Sequence, residues 1–403
     1  VYAPSLNTDR VHTGINSAKL GLEPELADTF PMPSNCQHIT ASDTDTQGRI
    51  HVLCANGYYM AYFNETWSTP IKVFNGSNYD PVLLASADGR LHIVYLGGSR
   101  ELFYVWRDNY GAWYSATLIK EEVNSNDSFQ AAVDPTGGVH ITLSTDDTHE
   151  LWYYHRWANG DWERPQRLKT SDTRKPLLAI SPSNLPIIAY STVYTDEHYY
   201  HMYLIEQLPS GAWTNPVQLD EGYGIDHMYL VCLEDNSLVY LYRHDYIYSV
   251  KQRMPNRVWT NSIDDPTQYS NAYVNTVVVD ANKMMHLFRI RTDALPGFNL
   301  ITNRWDVSNI LKLRYPTDFV YSQDSDKRLH ILHRSQDYAL GYTYQLSNGL
   351  WYGTKLTIPI SSYHTYVSFI GIDNQKQPIF VWTTSPSGES QYSYLERYTP
   401  QSG

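Results

Sequence analysis

Long apolar runs are missing from this chain. The longest, such as Pro81-Val-Leu-Leu-Ala85, are strand-sized, far short of the ~20 apolar residues that a membrane-spanning helix needs, so no membrane insertion is expected. Positive charge is scarce too: 30 Lys and Arg stand against 42 Asp and Glu, a formal net charge of −12. Nucleic-acid affinity rests on clustered cations, which excludes nucleic acid as the main partner. Cys36, Cys54 and Cys232 are too few and too irregularly spaced for a disulfide framework or a zinc site. No Gly-x-Ser-x-Gly, His-Glu-x-x-His or phosphate-loop motif occurs, and neither a cofactor nor a metal is expected. The first residues, Val1-Tyr-Ala-Pro4, show neither an initiator Met nor a basic-then-apolar signal, as in a mature product or part of a longer chain.

Aromatic side chains are abundant instead, with 35 Tyr and 11 Trp in 403 residues, and they recur. Tryptophans stand at Trp67, Trp113, Trp162, Trp213, Trp259, Trp305 and Trp351, at gaps of 46, 49, 51, 46, 46 and 46 residues. Four follow a Gly turn, as in Gly111-Ala-Trp113 and Gly349-Leu-Trp351. An aromatic strand precedes each Trp, for example Glu101 to Arg107 and, in the sixth unit, Phe298 to Arg304. A hairpin with a tight turn comes before that strand: Gly48-Arg-Ile-His-Val52, Gly89-Arg-Leu-His-Ile93, Gly138-Val-His-Ile141 and Lys327-Arg-Leu-His-Ile331 are clear copies, with degenerate ones at Asn184, Asn236, Lys283 and Lys376. Such a period marks a repeat architecture.

Each unit reads as four short antiparallel strands, A to D, the signature of an all-β propeller. Eight A strands are expected, near Gln37, Pro81, Phe129, Pro176, His227, Val274, Asp318 and Tyr366, so residues 36–403 form eight units of one domain spanning 1–403. The eighth unit stops after its C strand. A ring cannot close on an unpaired edge, so the segment 1–35 is expected to supply the missing strand, near Lys19 to Pro24. Seven blades with a separate N-terminal element is the alternative. The pattern Gly-x-x-His-Ile-x-Tyr, Leu-x-Tyr and Gly-x-Trp resembles the β-propellers of bacterial and phage carbohydrate-binding, receptor-binding modules and of some polysaccharide lyases. The resemblance covers residues 37 to about 400 and implies the fold; propellers carry many activities.

His51, His92, His140, His286 and His330 fill one repeat column that holds Ile187, Val239 and Ile379 elsewhere, so a structural role is expected, as a hydrogen bond between neighbouring blades. The seven Trp side chains should pack between blades. Asp-rich turns such as Asp43 to Gly48 and Asp324 to Asp326 mimic calcium loops, but fall where Asp and Gly suit a turn. Cys36 and Cys54 lie at matching heights on adjacent strands, so a disulfide is geometrically possible and hints at an oxidising compartment. The sialidase-type Ser-x-Asp-x-Gly-x-x-Trp box is absent.

The A–B and C–D turns are short and repetitive, whereas the B–C and D–A loops vary, so function is expected on the variable face. Its Tyr, Asn, Asp and His side chains, with Tyr79, Tyr223, Tyr269 and Tyr273 in D–A loops and Tyr246 and Tyr338 in B–C loops, suit a polyhydroxylated ligand. Arg243, Arg289 and Arg334 end strand B in three consecutive units, with Arg291 two residues on, where other units have Leu96, Ser144 or Ser191. Such guanidinium groups bind carboxylate or sulfate; pairing with Asp245, Asp264, Asp265 and Asp337 is the alternative. The main expectation is a binder of an acidic glycan, extracellular or on a virion or cell surface, alone or within a larger appendage or oligomer. The alternative is a uronate lyase with His244, Tyr246, His333 or Tyr338 as base and arginine as carboxylate neutraliser.

Overall fold

The computed structural model describes residues 30–394, apart from 34, 37–38, 65, 76–78, 99, 124–128, 146–147, 194–198, 224–225, 245–246, 267–273, 290–294, 312–317, 335–339, 356–364, 374–376 and 385–388. The architecture is an all-β propeller, with no helix among the described residues. Their strands form eight antiparallel sheets. Blade two shows the pattern, with strands Tyr79–Ala85 (A), Leu91–Leu96 (B), Leu102–Arg107 (C) and Trp113–Lys120 (D) side by side in that order. Seven sheets are built from successive strands of one repeat. The eighth combines Thr365–Ile372, Pro378–Thr384 and Glu389–Tyr394 with a strand from the other end of the chain, Phe30–Pro31, which pairs as Phe30↔Tyr392 and Pro31↔Gln391. The N-terminal segment thus closes the ring as expected, although the pairing residues are 30–31; Lys19 to Pro24 lie outside the described residues. Strand C of blade six also differs from expectation: it is Leu295–Asn299, and residues 300–303 form the turn into Arg304–Leu311.

Turn chemistry explains the regularity. In A–B turns the fourth residue adopts positive φ, at Gly48, Gly89, Gly137, Asn184, Asn236, Lys283 and Lys327, and its N–H donates to the carbonyl three residues earlier. Glycine and asparagine tolerate that conformation best. The B strands Ile50–Cys54, Leu91–Leu96, Val139–Ser144 and Leu329–Arg334 are buried along their whole length, because the faces of adjacent blades cover them from both sides. Strand D of blade two, at the periphery, is mostly exposed.

Buried in the B strands, the column histidines need polar partners, and these come from their own blade, which corrects the expected bond between blades. His51 Nδ1 lies 2.7 Å from Tyr59 Oη and its Nε2 3.2 Å from Asp45 Oδ2. His140 repeats this with Tyr153 (2.6 Å) and Asp134 (3.1 Å), while His330 keeps the tyrosine, Tyr342, at 2.7 Å and has the Asp324 carboxylate 3.6 Å away. His286 keeps the aspartate, Asp280, at 3.0 Å. Each aspartate opens the A–B turn; Asp45 Oδ1, for instance, accepts the N–H groups of Gln47 and Arg49 at 2.9 Å. The calcium-like turns are therefore engaged by the chain itself. Blade two has Ser86 at the aspartate position, so His92 meets Tyr104 at 2.7 Å and its Nε2 has no partner.

The tryptophans do pack between blades. Trp113, Trp162 and Trp213 stand edge-on to Tyr59, Tyr104 and Tyr153 of the preceding blade, at centroid distances of 5.0, 5.2 and 5.1 Å, and Trp351 stands on His286 at 5.3 Å. Trp67 and Trp305 meet rings of their own blade, Tyr62 and Phe298.

A disulfide joins Cys36 to Cys54, with Cα atoms 5.2 Å apart. Both sit in one cluster with Met32, Ile50 and Met60 of the first blade region and Ile379 and Val381 of the eighth, so the bond lies at the closing seam. Cys54→Ser is expected to lower the unfolding free energy by about 2–4 kcal/mol. A chain beginning at Cys36 should melt lower and aggregate; an unchanged melting temperature would contradict closure by residues 30–31. In denaturant titrations His51→Ala should cost about 1–3 kcal/mol, and more than His92→Ala, because it strips two hydrogen-bonded partners, Tyr59 and Asp45, rather than one.

Candidate functional site

The B–C and D–A connections share one face of the propeller. At that face the register sets the three arginines at equivalent positions: Arg243 pairs with Asp226, Arg289 with Val274 and Arg334 with Asp318, each opposite the first residue of strand A in its blade. Arg243 and Arg334 are buried, with 5% and 9% exposure, so neither is a surface charge. The Arg243 guanidinium lies 5.9 Å from the ring centroid of Tyr248, its cross-strand partner. Only the backbones of Arg289 and Tyr79 are described, and Arg291, Tyr246, Tyr269, Tyr273 and Tyr338 lie outside the described residues.

The two histidines considered as bases sit in different surroundings. Ser249 Oγ donates to Asp264 Oδ1 at 2.6 Å and lies 3.1 Å from His244 Nε2, so this nitrogen donates to the serine and a neutral ring carries its lone pair on Nδ1. His333 is buried, faces Gly341 across the sheet, and is pushed down to about 4 by burial. A Cβ on Gly341 would fall 2.4 Å from His333 Cε1, so glycine is what leaves room for the ring.

A candidate surface lies at the outer rim of blade four. There strand C (Tyr199–Glu206) starts and strand D (Val217–Tyr223) ends. Tyr199 pairs directly with Tyr223 and His201 with Glu221. The two tyrosine rings are 4.9 Å apart and nearly perpendicular, His201 stands edge-on to Tyr199 at 5.4 Å, and His201 Nδ1 lies 3.0 Å from Glu221 Oε2. Tyr223 is 53% exposed. Alternation along two paired strands thus sets flat rings beside a carboxylate and an imidazole on an open surface. Toward blade three, Lys169 Nζ lies 5.6 and 5.7 Å from the rings of Tyr190 and Tyr203. Desolvation lowers its pKa. Tyr223 was anticipated from the sequence; Tyr199, His201 and Glu221 were not, because their membership depends on the C–D register.

No protein-family model and no characterised protein matches the chain by sequence. Solved structures share the fold. A lectin, BP39L from Burkholderia pseudomallei, is 11% identical with a TM-score of 0.57, covering 80% of this chain and 100% of the lectin. A prolyl endopeptidase is 12% identical at TM-score 0.55 over 87% of this chain and 55% of its own length. A puromycin hydrolase is 12% identical at 0.51 over 88% and 56%. The chain spans about half the length of those two enzymes. At such identities the likeness establishes the β-propeller fold alone.

The buried histidines set an acid limit. Burial, reinforced by Arg156, pushes His92 down to about 3, and burial lowers His333 as stated. Both take up a proton more readily when unfolded, so stability should fall as pH drops below about 6.5, by at most ~1.4 kcal/mol per pH unit for each group. His333→Gln should flatten that slope in denaturation measured between pH 7 and 4.

Proposed function

We propose that this propeller is a carbohydrate-binding protein whose B–C and D–A face recognises an acidic glycan. The observation that carries the reading is the exposed Tyr199–Tyr223–His201–Glu221 surface of blade four: aromatic planes suit the apolar face of a sugar ring, and the carboxylate and imidazole suit its hydroxyls. The equivalent placement of Arg243, Arg289 and Arg334 in three adjacent blades supports an anionic ligand entering at the mouth. A lectin among the proteins of like fold is consistent with this reading and adds little weight. The Cys36–Cys54 disulfide supports work outside a reducing compartment, at a cell surface or on a virion. Of the bases a lyase could use, His333 is buried and Tyr246 and Tyr338 lie outside the described residues; the aromatic surface of blade four favours binding over β-elimination.

A glycan array is the test. Acidic saccharides should bind, and binding should weaken as salt rises. Tyr223→Ala should cost about 0.5–1.5 kcal/mol of affinity beyond lost contact area, and Arg243→Gln about 1.5–3 kcal/mol if the contact is direct. Binding of neutral sugars alone would overturn the acidic part, and an array without hits the whole reading. An absorbance assay for unsaturated uronate on any hit tests the lyase.

A further inference from the structure

Blade three departs from blades one and seven at two neighbouring positions. In blades one and seven an arginine stands two residues before the column histidine, and Arg49 Nε and Arg328 Nε donate to Asp45 Oδ2 and Asp324 Oδ2 at 2.7 and 2.9 Å. A cation thus covers the carboxylate oxygen that also faces the histidine. In blade three that residue is Gly138, and the residue directly across from His140 is His155. The corresponding partners of the other column histidines are Ala61, Trp106, Gly297 and Tyr344.

The consequence is a buried cluster of metal-ligand character. One ligand atom each of Asp134, His140 and His155 lies within 4.8 Å of the other two, and the residues are 5%, 1% and 5% exposed. A Cβ on Gly138 would sit 2.6 Å from Asp134 Oδ2 and 3.1 Å from His155 Nε2, so the missing side chain opens the space between them. His155 Nε2 has no hydrogen-bond partner. Its Nδ1 lies 3.2 Å from Glu163 Oε2, an acceptor, so Nδ1 carries the proton and Nε2 presents a bare lone pair. His140 Nδ1 is held by Tyr153. Asp134 Oδ1 is held by the N–H groups of Thr136 and Gly138 at 2.8 and 2.9 Å. Histidines oriented through their second nitrogen by a carboxylate or hydroxyl are what metal sites use.

We propose that Asp134 Oδ2, His140 Nε2 and His155 Nε2 bind one divalent transition-metal ion of the zinc class, in the place that an arginine holds in blades one and seven. Two imidazoles with one carboxylate select zinc, cobalt, nickel or copper over calcium or magnesium, which take oxygen ligands. Asp134 and Glu163 together balance the double charge. Tetrahedral ligands at 2.0–2.1 Å lie ~3.3 Å apart, so loading draws the three atoms together. The imidazole planes, 14° from parallel, tilt toward the ion. The site pins the A–B turn to strand C, on the face opposite the arginines, and leaves a fourth position for water or a partner's group.

The test uses the full chain, free of affinity tags and stripped of metal. It is titrated with cobalt(II) followed by visible absorption and with zinc(II) by calorimetry. One ion per chain, a tetrahedral cobalt band displaced by zinc, and a raised melting temperature are expected. His155→Gln should abolish binding, Glu163→Gln should weaken it about 10–100-fold, and His51→Gln in blade one should leave the stoichiometry at one. Gly138→Arg, which restores the arginine of blades one and seven, should also abolish it; should that variant fail to fold, His155→Gln decides. A wild-type chain that takes up no ion, or a His155→Gln chain that binds as tightly as wild type, would overturn the proposal.

Discussion

The Asp–His–Tyr row inside the blades is the interaction on which the ring depends. A propeller needs its B strands buried on both faces, and a polar imidazole there is costly unless its nitrogens are satisfied. Asp45, Asp134 and Asp324 serve twice, one oxygen closing the A–B turn and the other facing the histidine. The histidine then fixes the tyrosine hydroxyl, and the ring of the next blade stands on that tyrosine: Trp113, Trp162 and Trp213 in the early blades, Phe380 on Tyr342 in the last. Turn, sheet and blade-to-blade packing are thus one connected set of contacts, and the histidine is the link between local turn geometry and the stacking of sheets.

Closure imposes a second constraint. A circular array of sheets has no free end only if the last sheet is completed, and an unpaired outer strand is a template for association. Here completion comes from Phe30–Pro31, only two residues long, a weak lock by hydrogen bonding alone. The Cys36–Cys54 disulfide and the apolar cluster around Met32, Ile379 and Val381 compensate. They fix the approach of the segment where its own strand is too short to do so.

The fold was legible because its determinants are local and repeated: Gly, Asn and Lys at the positive-φ turn position, His in strand B, Tyr in strand C, Trp opening strand D. Even degenerate copies at Asn184, Asn236 and Lys283 adopt the same turn. What the repeat could not show was direction. That His51 meets Tyr59 of its own blade depends on register across the B–C pair, and conservation of a column fits either partner. The site was less legible for the same reason. Tyr223, expected in a D–A loop, ends strand D instead, and Tyr199, His201 and Glu221 join it only once strands C and D are aligned. His155 likewise reads as one more strand residue until it is set opposite His140.

Departures from the repeat fall where the ring tolerates them. A substitution in strand B disturbs two neighbouring blades at once, since those strands are covered on both faces, whereas a peripheral strand such as the D strand of blade two is mostly exposed. The blade-four surface uses the ends of strands C and D, at the rim. The blade-three cluster is the exception: it lies deep, and it is possible because a compensating pair of changes occurs together. Losing the arginine at Gly138 removes the cation from Asp134, and gaining His155 fills part of the space with a group that stacks on His140 at 4.3 Å. Blade six, where Met284 replaces the arginine and Gly297 lies across from His286, fills the same place with Gln345 on Asp280 instead. At neighbouring positions of one sheet, the two departures set a carboxylate and two imidazoles around one opening, which marks the cluster as a built feature of the blade.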